Sequence, residues 1–197
     1  MAFTKNKLII IVAMLVICSG NFAISQLDLD WATHPANKNF DGGDIWPDVL
    51  AVDSSGNLFV FGVMNNVADF DFSQDSSLIV SPSQQTGYFA KYAGNGDLIW
   101  KKPIDLEYVN DIAIDHQGDV VVIGSHEGTE DFDPGVGTEI IPTSGIYTTN
   151  FFVAKYDSSG NYIYAFSLGG VFADVADDVA IDDSNNIYVS GSVGFGY

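Results

Sequence analysis

DVLAVDSSGNLFVFG, residues 48–62, recurs as DIAIDHQGDVVVIG at 111–124 and as DVAIDDSNNIYVSG at 178–191. Between the first two copies lies FAKYAGNGDLIW (89–100), which returns as VAKYDSSGNYIY (153–164). Ala51, Ala113 and Ala180 occupy matched places, 62 and 67 residues apart. Self-similarity at such a period is the mark of one supersecondary unit stacked on copies of itself. It also sorts residues by role. A scaffold residue stands in every copy, whereas a residue with a special task stands once.

Each copy reads as two hairpins. The apolar run 49–52 enters Asp53-Ser54-Ser55-Gly56-Asn57 and leaves as the apolar run 58–63. An aspartate opening the turn accepts from the turn's own amides, and a glycine within it takes positive φ without a Cβ clash. The second half repeats the device: 89–92, then Ala93-Gly94-Asn95-Gly96, then 97–100, and in the next copy 153–156, Asp157-Ser158-Ser159-Gly160 and 161–164. Four strands per repeat follow. Leu58-Phe59-Val60-Phe61, Val120-Val121-Val122-Ile123 and Ile187-Tyr188-Val189 are apolar at consecutive positions, as in strands covered on both faces. A two-layer sandwich would alternate, whereas propeller blades lie between neighbouring blades. The predicted fold class is therefore all-β: four-stranded antiparallel β-propeller blades at 48–102 and 111–166, with an incomplete one at 178–197.

The pattern AxDxxGNxxVxG followed by FxAKYxxxGxxxW resembles the bacterial β-propeller repeat labelled SBBP, found in exported proteins of Bacteroidota. That resemblance covers nearly all of 26–197 and implies a propeller and export. It implies nothing about activity. The second hairpin is also similar to repeats of quinoprotein propellers, but the copies lack the tryptophan-docking pattern those carry throughout.

Asp28-Leu29-Asp30-Trp31 matches Asp97-Leu98-Ile99-Trp100, the last strand of a blade. The strand 27–31 is thus expected to have no blade of its own and to serve as an N-terminal closing strand. A ring takes about four to eight blades. Two and a half blades are therefore expected to be an incomplete ring, part of a longer protein.

Residues 1–25 read as a signal peptide. Lys5 and Lys7 precede an apolar run at 8–17, and Ala23-Ile24-Ser25 suits cleavage before Gln26. The run is too short to span a bilayer. Ile17 precedes Cys18, where a lipid-anchor signal takes a small residue. The expected location is secreted or cell surface, with no transmembrane segment in the mature chain. Residues 26–197 contain no cysteine, which excludes a disulfide framework. Losing Lys5 and Lys7 takes the formal charge from −19 to −21. Such a field repels phosphate backbones, so nucleic acid is excluded as a partner. Divalent cations and neutral polar ligands such as glycans are compatible with it.

Asp69-Phe70-Asp71 recurs as Asp131-Phe132-Asp133, the second followed by Pro134-Gly135. Two readings stand. Alternate carboxylates at Asp69, Asp71, Asp131 and Asp133 suit a calcium ion, although no complete calcium-loop motif is present. Alternatively Phe70 and Phe132 plug the blade while the aspartates cap turn amides. Asp53, Asp115 and Asp182 read as turn chemistry, and Lys91 and Lys155, matched in two copies, as structural partners of acidic neighbours. His34, His116 and His126 do not recur and form no metal spacing. His126 with Glu127 and Glu130 is the one local titratable cluster. Phosphate-loop and nucleophile-elbow patterns are absent.

The expected function is that of a non-catalytic scaffold or binding module. Its ligand surface lies on the connections 63–88 and 125–152, because loops on a rigid scaffold carry recognition. Tyr88, Tyr147 and Phe151, with Asn65, Asn66 and Asn150, would offer stacking and hydrogen bonds to a glycan or protein. The alternative is the propeller portion of a secreted lyase or glycosidase whose catalytic residues lie outside these residues.

Overall fold

The computed structural model describes residues 7–11, 28–33, 44–71, 77–81, 85–143, 149–170 and 172–194. Its first four-stranded sheet is formed by β3 (Ile45–Val52), β4 (Leu58–Met64), β7 (Thr86–Tyr92) and β8 (Leu98–Ile104), in that order and antiparallel throughout. The second repeats it with β9 (Tyr108–Ile114), β10 (Val120–His126), β11 (Asn150–Tyr156) and β12 (Tyr162–Leu168). A third hairpin, β13 (Val175–Ile181) with β14 (Ile187–Ser192), stands where a third sheet begins. The first strands of successive sheets, β3, β9 and β13, lie side by side. This is a partial β-propeller, two blades and half of a third, with its ring open. The doubled hairpin of each repeat forms one sheet, as the pattern predicts.

The turns explain the repeat. In all three copies an aspartate Oδ1 accepts from the amides two and four residues on: Asp53 from Ser55 and Asn57, Asp115 from Gln117 and Asp119, Asp182 from Ser184 and Asn186. Asp157 does the same in the outer hairpin of the second blade. Gly56 and Gly118 both hold φ at +82°, and Asn185 takes that place at +61° in the third copy. There asparagine tolerates the left-handed region where glycine is otherwise used.

Both faces of the middle strands are covered. Every residue of β4 and of β7 is buried, whereas β14, with the same apolar run, leaves Tyr188 56% exposed. The difference is neighbours, not composition: among the described residues β14 has no third strand beside it. The core between the blades joins Phe59, Phe61 and Phe89 to Ile112, Val122, Phe152 and Tyr156. Phe61 stacks on Phe89 at 4.1 Å. The next interface is aliphatic, with Val121, Ile123 and Val153 against Ala176 and Val179.

A strand, β2 (Asp28–Thr33), occurs one residue on from the expected 27–31. It pairs in parallel with β1 (Lys7–Ile11), its partner among the described residues. It does not join β8 as a fifth strand.

Candidate functional site

Most recurring polar residues hold the scaffold. The Lys155 ammonium reaches Asp115 at 2.7 Å and Asp119 at 3.2 Å, and Lys91 reaches Asp53 at 3.4 Å. Burial opposes each charge, but Lys155 together with the amides of Asp119 and Gln117 holds the Asp115 carboxyl below its ordinary value. Asp115 and Asp119 in turn outweigh desolvation and raise Lys155. Lys91 also lies 4.3 Å over the Phe59 ring, a cation–π contact at the blade interface. These lysines are structural, as their recurrence suggests.

Trp100, matched by Trp31 and Tyr164 in the other copies, forms a joint between the two complete blades. Its indole N–H donates to the Ser158 carbonyl, 3.2 Å away in the β11–β12 turn of the next blade. The ring lies so close to Gly160 that a Cβ there would sit 2.7 Å from Cη2. Lys91 and Lys102 hold the same turn through the Ser158 carbonyl and the Asn161 side chain. Trp100 thus docks on the turn of the next blade, and Tyr164 holds the matched position in the second blade.

The paired Asp-Phe-Asp motifs adopt one geometry. Asp69 Oδ1 accepts from the amides of Asp71 and Ser77, and Asp131 Oδ1 from those of Asp133 and Glu139. Asp133 Oδ1 accepts from Gly135. Phe70 and Phe132 are buried, and their carbonyls accept the hydroxyls of Tyr92 and Tyr156, at 3.2 and 3.0 Å. Hence the amide-capping, ring-plugging geometry is what the two blades display. Among the described residues no group of three or more His, Cys, Asp or Glu converges as a metal shell requires.

The expected aromatic platform is not assembled. Tyr88 is 3% exposed and packs edge-on against Phe70 at 4.9 Å, and Asn150 is 1% exposed. Both fall on third strands, β7 and β11, which are covered on both faces. Phe151 packs with the aliphatic interface. Asn65 ties the chain before β3, accepting from the Asp44 amide through Oδ1, and Asn66 takes φ +52° in a turn. Tyr147 and His34 lie outside the described residues.

A cleft opens instead at the start of β9. It is lined by Asp105, Glu107 and Tyr108 on one side and Glu127, Thr129 and Glu130 on the other. Glu130 organises its own loop, with Oε1 accepting from the Glu127 amide and Oε2 from those of Gly128 and Thr129, all at 2.8 Å. Behind it His126 is wholly buried between Phe132 and Phe152. Its Nε2 lies 2.7 Å from Ser167 Oγ, while Nδ1 faces Glu130 Oε2 at 3.9 Å without a hydrogen-bond partner. Burial lowers the histidine's pKa, against the opposing pull of Glu130. Serine, histidine and glutamate stand in the order hydrolases use, but 3.9 Å is too long for the orienting hydrogen bond.

Strand register shows what is singular here. His126 pairs with Asn150 as Met64 pairs with Thr86, and Ser167 faces Phe152 as Pro103 faces Tyr88. Glu130 precedes its motif where Ala68 precedes the first. One blade thus fills the place with Met64 and Ala68 inside an apolar cluster, and the next puts His126 and Glu130 there.

No family model matches the chain. It is 26% identical over 153 residues to an uncharacterised WD repeat-containing protein of Acanthamoeba polyphaga mimivirus, an alignment that covers 73% of this chain and 11% of that protein. A crystal structure of a protein of unknown function from Bacteroides caccae overlaps 76% of this chain and 54% of its own, with 11% identity and a TM-score of 0.31. The chain therefore spans about a tenth of the viral relative and about half of the bacterial one. The likeness to a WD-repeat protein agrees with the propeller-like repeat seen in the sheets. Among the described residues, no helix is long and apolar enough to cross a membrane.

Proposed function

We propose that the chain is a non-catalytic binding module built on SBBP-type propeller blades, exported by its N-terminal segment, and that it recognises a protein through the ring face carrying the β8–β9 and β10–β11 connections. One observation carries this reading. The residues that recur each have a packing, pairing or turn-capping task, whereas His126, Glu127 and Glu130, which replace Met64, Asn65 and Ala68 of the first blade, gather at one end of the second blade. Loops on a rigid scaffold are where recognition is placed.

Arrays of peptides and of glycans, probed with the intact chain, test it. Binding to peptides without turnover is the expected result. Cleavage of any arrayed glycan or peptide would overturn the non-catalytic part, and binding confined to glycans would overturn the partner class. Export is tested separately by sequencing the N-terminus of protein recovered outside the cell, which should begin at Gln26.

A further inference from the structure

The cleft beside β9 has a counterpart one repeat later, and the counterpart is closed. Asp174 immediately precedes β13 as Glu107 immediately precedes β9. Asp174 is fully buried, and its two carboxylate oxygens accept from the amides of Gly170 and Gly194, at 2.7 and 2.8 Å. It thereby ties the connection entering that blade to the segment leaving β14. In the second blade Glu107 makes no such tie among the described residues, and the same place is an open cleft walled by carboxylates. Tyr108, 58% exposed, stands at its rim.

Acidity alone would mean little in a chain of charge −19. The buried imidazole adds a second, independent sign. His126 replaces an apolar residue of the preceding blade and leaves Nδ1 unsatisfied toward the Glu130 wall. A buried polar atom without a partner is unfavourable, because it has given up water and gained no hydrogen bond. Its persistence at a place that methionine fills elsewhere in the same chain calls for an explanation.

We propose that this cleft is the seat for a guanidinium or ammonium side chain of a partner protein, with Glu107 and Glu127 as its charged acceptors and Tyr108 as the surface it stacks on. The proposal rests on the protein-binding reading above and names the chemistry of its site. Carboxylates form charge-assisted hydrogen bonds with such groups, and a tyrosine face attracts them through the ring quadrupole. His126 sits behind the wall as a neutral dipole. When it gains a proton, it brings a positive charge up behind Glu130 and opposes the incoming cation. Glu130 is the charged group facing the imidazole. The residues that pack on it from the β10–β11 loop, β11 and β12 (Phe132, Phe152, Asn150 and Ser167) are uncharged. By linkage, a bound cation must lower the affinity of His126 for its proton as much as the proton lowers affinity for the cation.

The test is an NMR titration of the intact chain in physiological salt, with N-acetyl-arginine amide as probe and its uncharged citrulline analogue as control. Saturable shifts at the amides of Glu107, Tyr108, Glu127 and Thr129 and at the His126 ring are expected with arginine and not with citrulline. Glu107→Gln and Glu127→Gln should each weaken binding about tenfold, the loss of one charge-assisted hydrogen bond. Asp177→Asn and Asp183→Asn, which remove equal charge elsewhere, should leave it unchanged. His126→Met installs the residue of the preceding blade, so it should fold. Its binding should lose the weakening otherwise seen as pH falls below the ordinary histidine range, where the buried imidazole gains its proton. Equal responses to arginine and citrulline, or equal weakening by the distant variants, would overturn the proposal. So would an absence of saturation. If peptides still bind on the array in that event, the protein-binding reading stands and only the cleft assignment falls.

Discussion

Removing the Trp100 ring should loosen the joint between the two complete blades. The side chain is partly buried, with its ring edge-on to Phe89 at 4.7 Å and its N–H on the Ser158 carbonyl. A fully buried aromatic truncated to alanine costs about 3–5 kcal/mol. The part of Trp100 left in solvent lowers that figure, and the lost hydrogen bond returns about 1 kcal/mol, so Trp100→Ala should cost about 2–3 kcal/mol. Trp100→Phe keeps most of the packing and should cost about 1 kcal/mol. Gly160→Ala places a methyl against the ring at φ +73°. It should cost about 2 kcal/mol, of which about half is the left-handed backbone and persists without the ring. The cycle of Trp100→Ala with Gly160→Ala should therefore be non-additive, by about 1 kcal/mol in favour of the double variant. Tyr164 holds the same register on β12, opposite Lys155 as Trp100 is opposite Lys91, and supplies an internal reference. It has no following turn among the described residues, so Tyr164→Ala should cost less than Trp100→Ala. Urea unfolding monitored by circular dichroism reads all five variants. Additive behaviour within about 0.5 kcal/mol, or a Trp100→Ala cost below about 1 kcal/mol, would refute the docked joint.

Tyr156→Phe should cost about 1 kcal/mol in urea unfolding, because the buried Phe132 carbonyl loses its donor. Asp115 has its carboxyl lowered in the fold, so its contribution is present above the unfolded pKa of about 3.9 and disappears as pH falls through the folded value. Asp115→Asn should remove about 1.5–3 kcal/mol at neutral pH and flatten that acid limb of the stability profile. His126 has its pKa lowered, so the native chain should lose stability as pH drops below about 6.5, and His126→Met should reduce that loss. If the Asp-Phe-Asp motifs only cap amides, thermal midpoints in chelator and in millimolar calcium should coincide; a rise with calcium would restore the cation reading of Asp69, Asp71, Asp131 and Asp133.

The blades were legible because their determinants are local. Asp53 and Gly56 write a turn within five residues, and the unbroken apolar run of β4 announces two covered faces. The site was less so. Tyr88 and Asn150 look available in a loop-rich stretch, yet each lies just inside a strand whose faces are both packed, and strand boundaries are weakly marked by composition. Trp100 was legible as the matched residue closing a blade, but its partner was not, because the Ser158 turn is 58 residues away and makes sense only once two blades are stacked. His126 carried a usable signal: against Met64 in the aligned copies it is a polar residue at an apolar place. Glu107 carried none until the closed counterpart at Asp174 showed what its place can do.

The grip of the first blade's outer strand by the β11–β12 turn of the second gives the chain a mechanical direction. Load applied at β14 meets a strand that is the edge of its sheet among the described residues and can peel from β13 one pair at a time. Load from the side of β3 must instead draw out an innermost strand that lies against β9 and is paired along its whole length with β4. Peeling breaks bonds in sequence, whereas extraction breaks them together, so the second should require the larger force. Until β11 and β12 come apart, the Ser158 turn keeps hold of Trp100, and the first blade should be the last to yield to a pull from the far end.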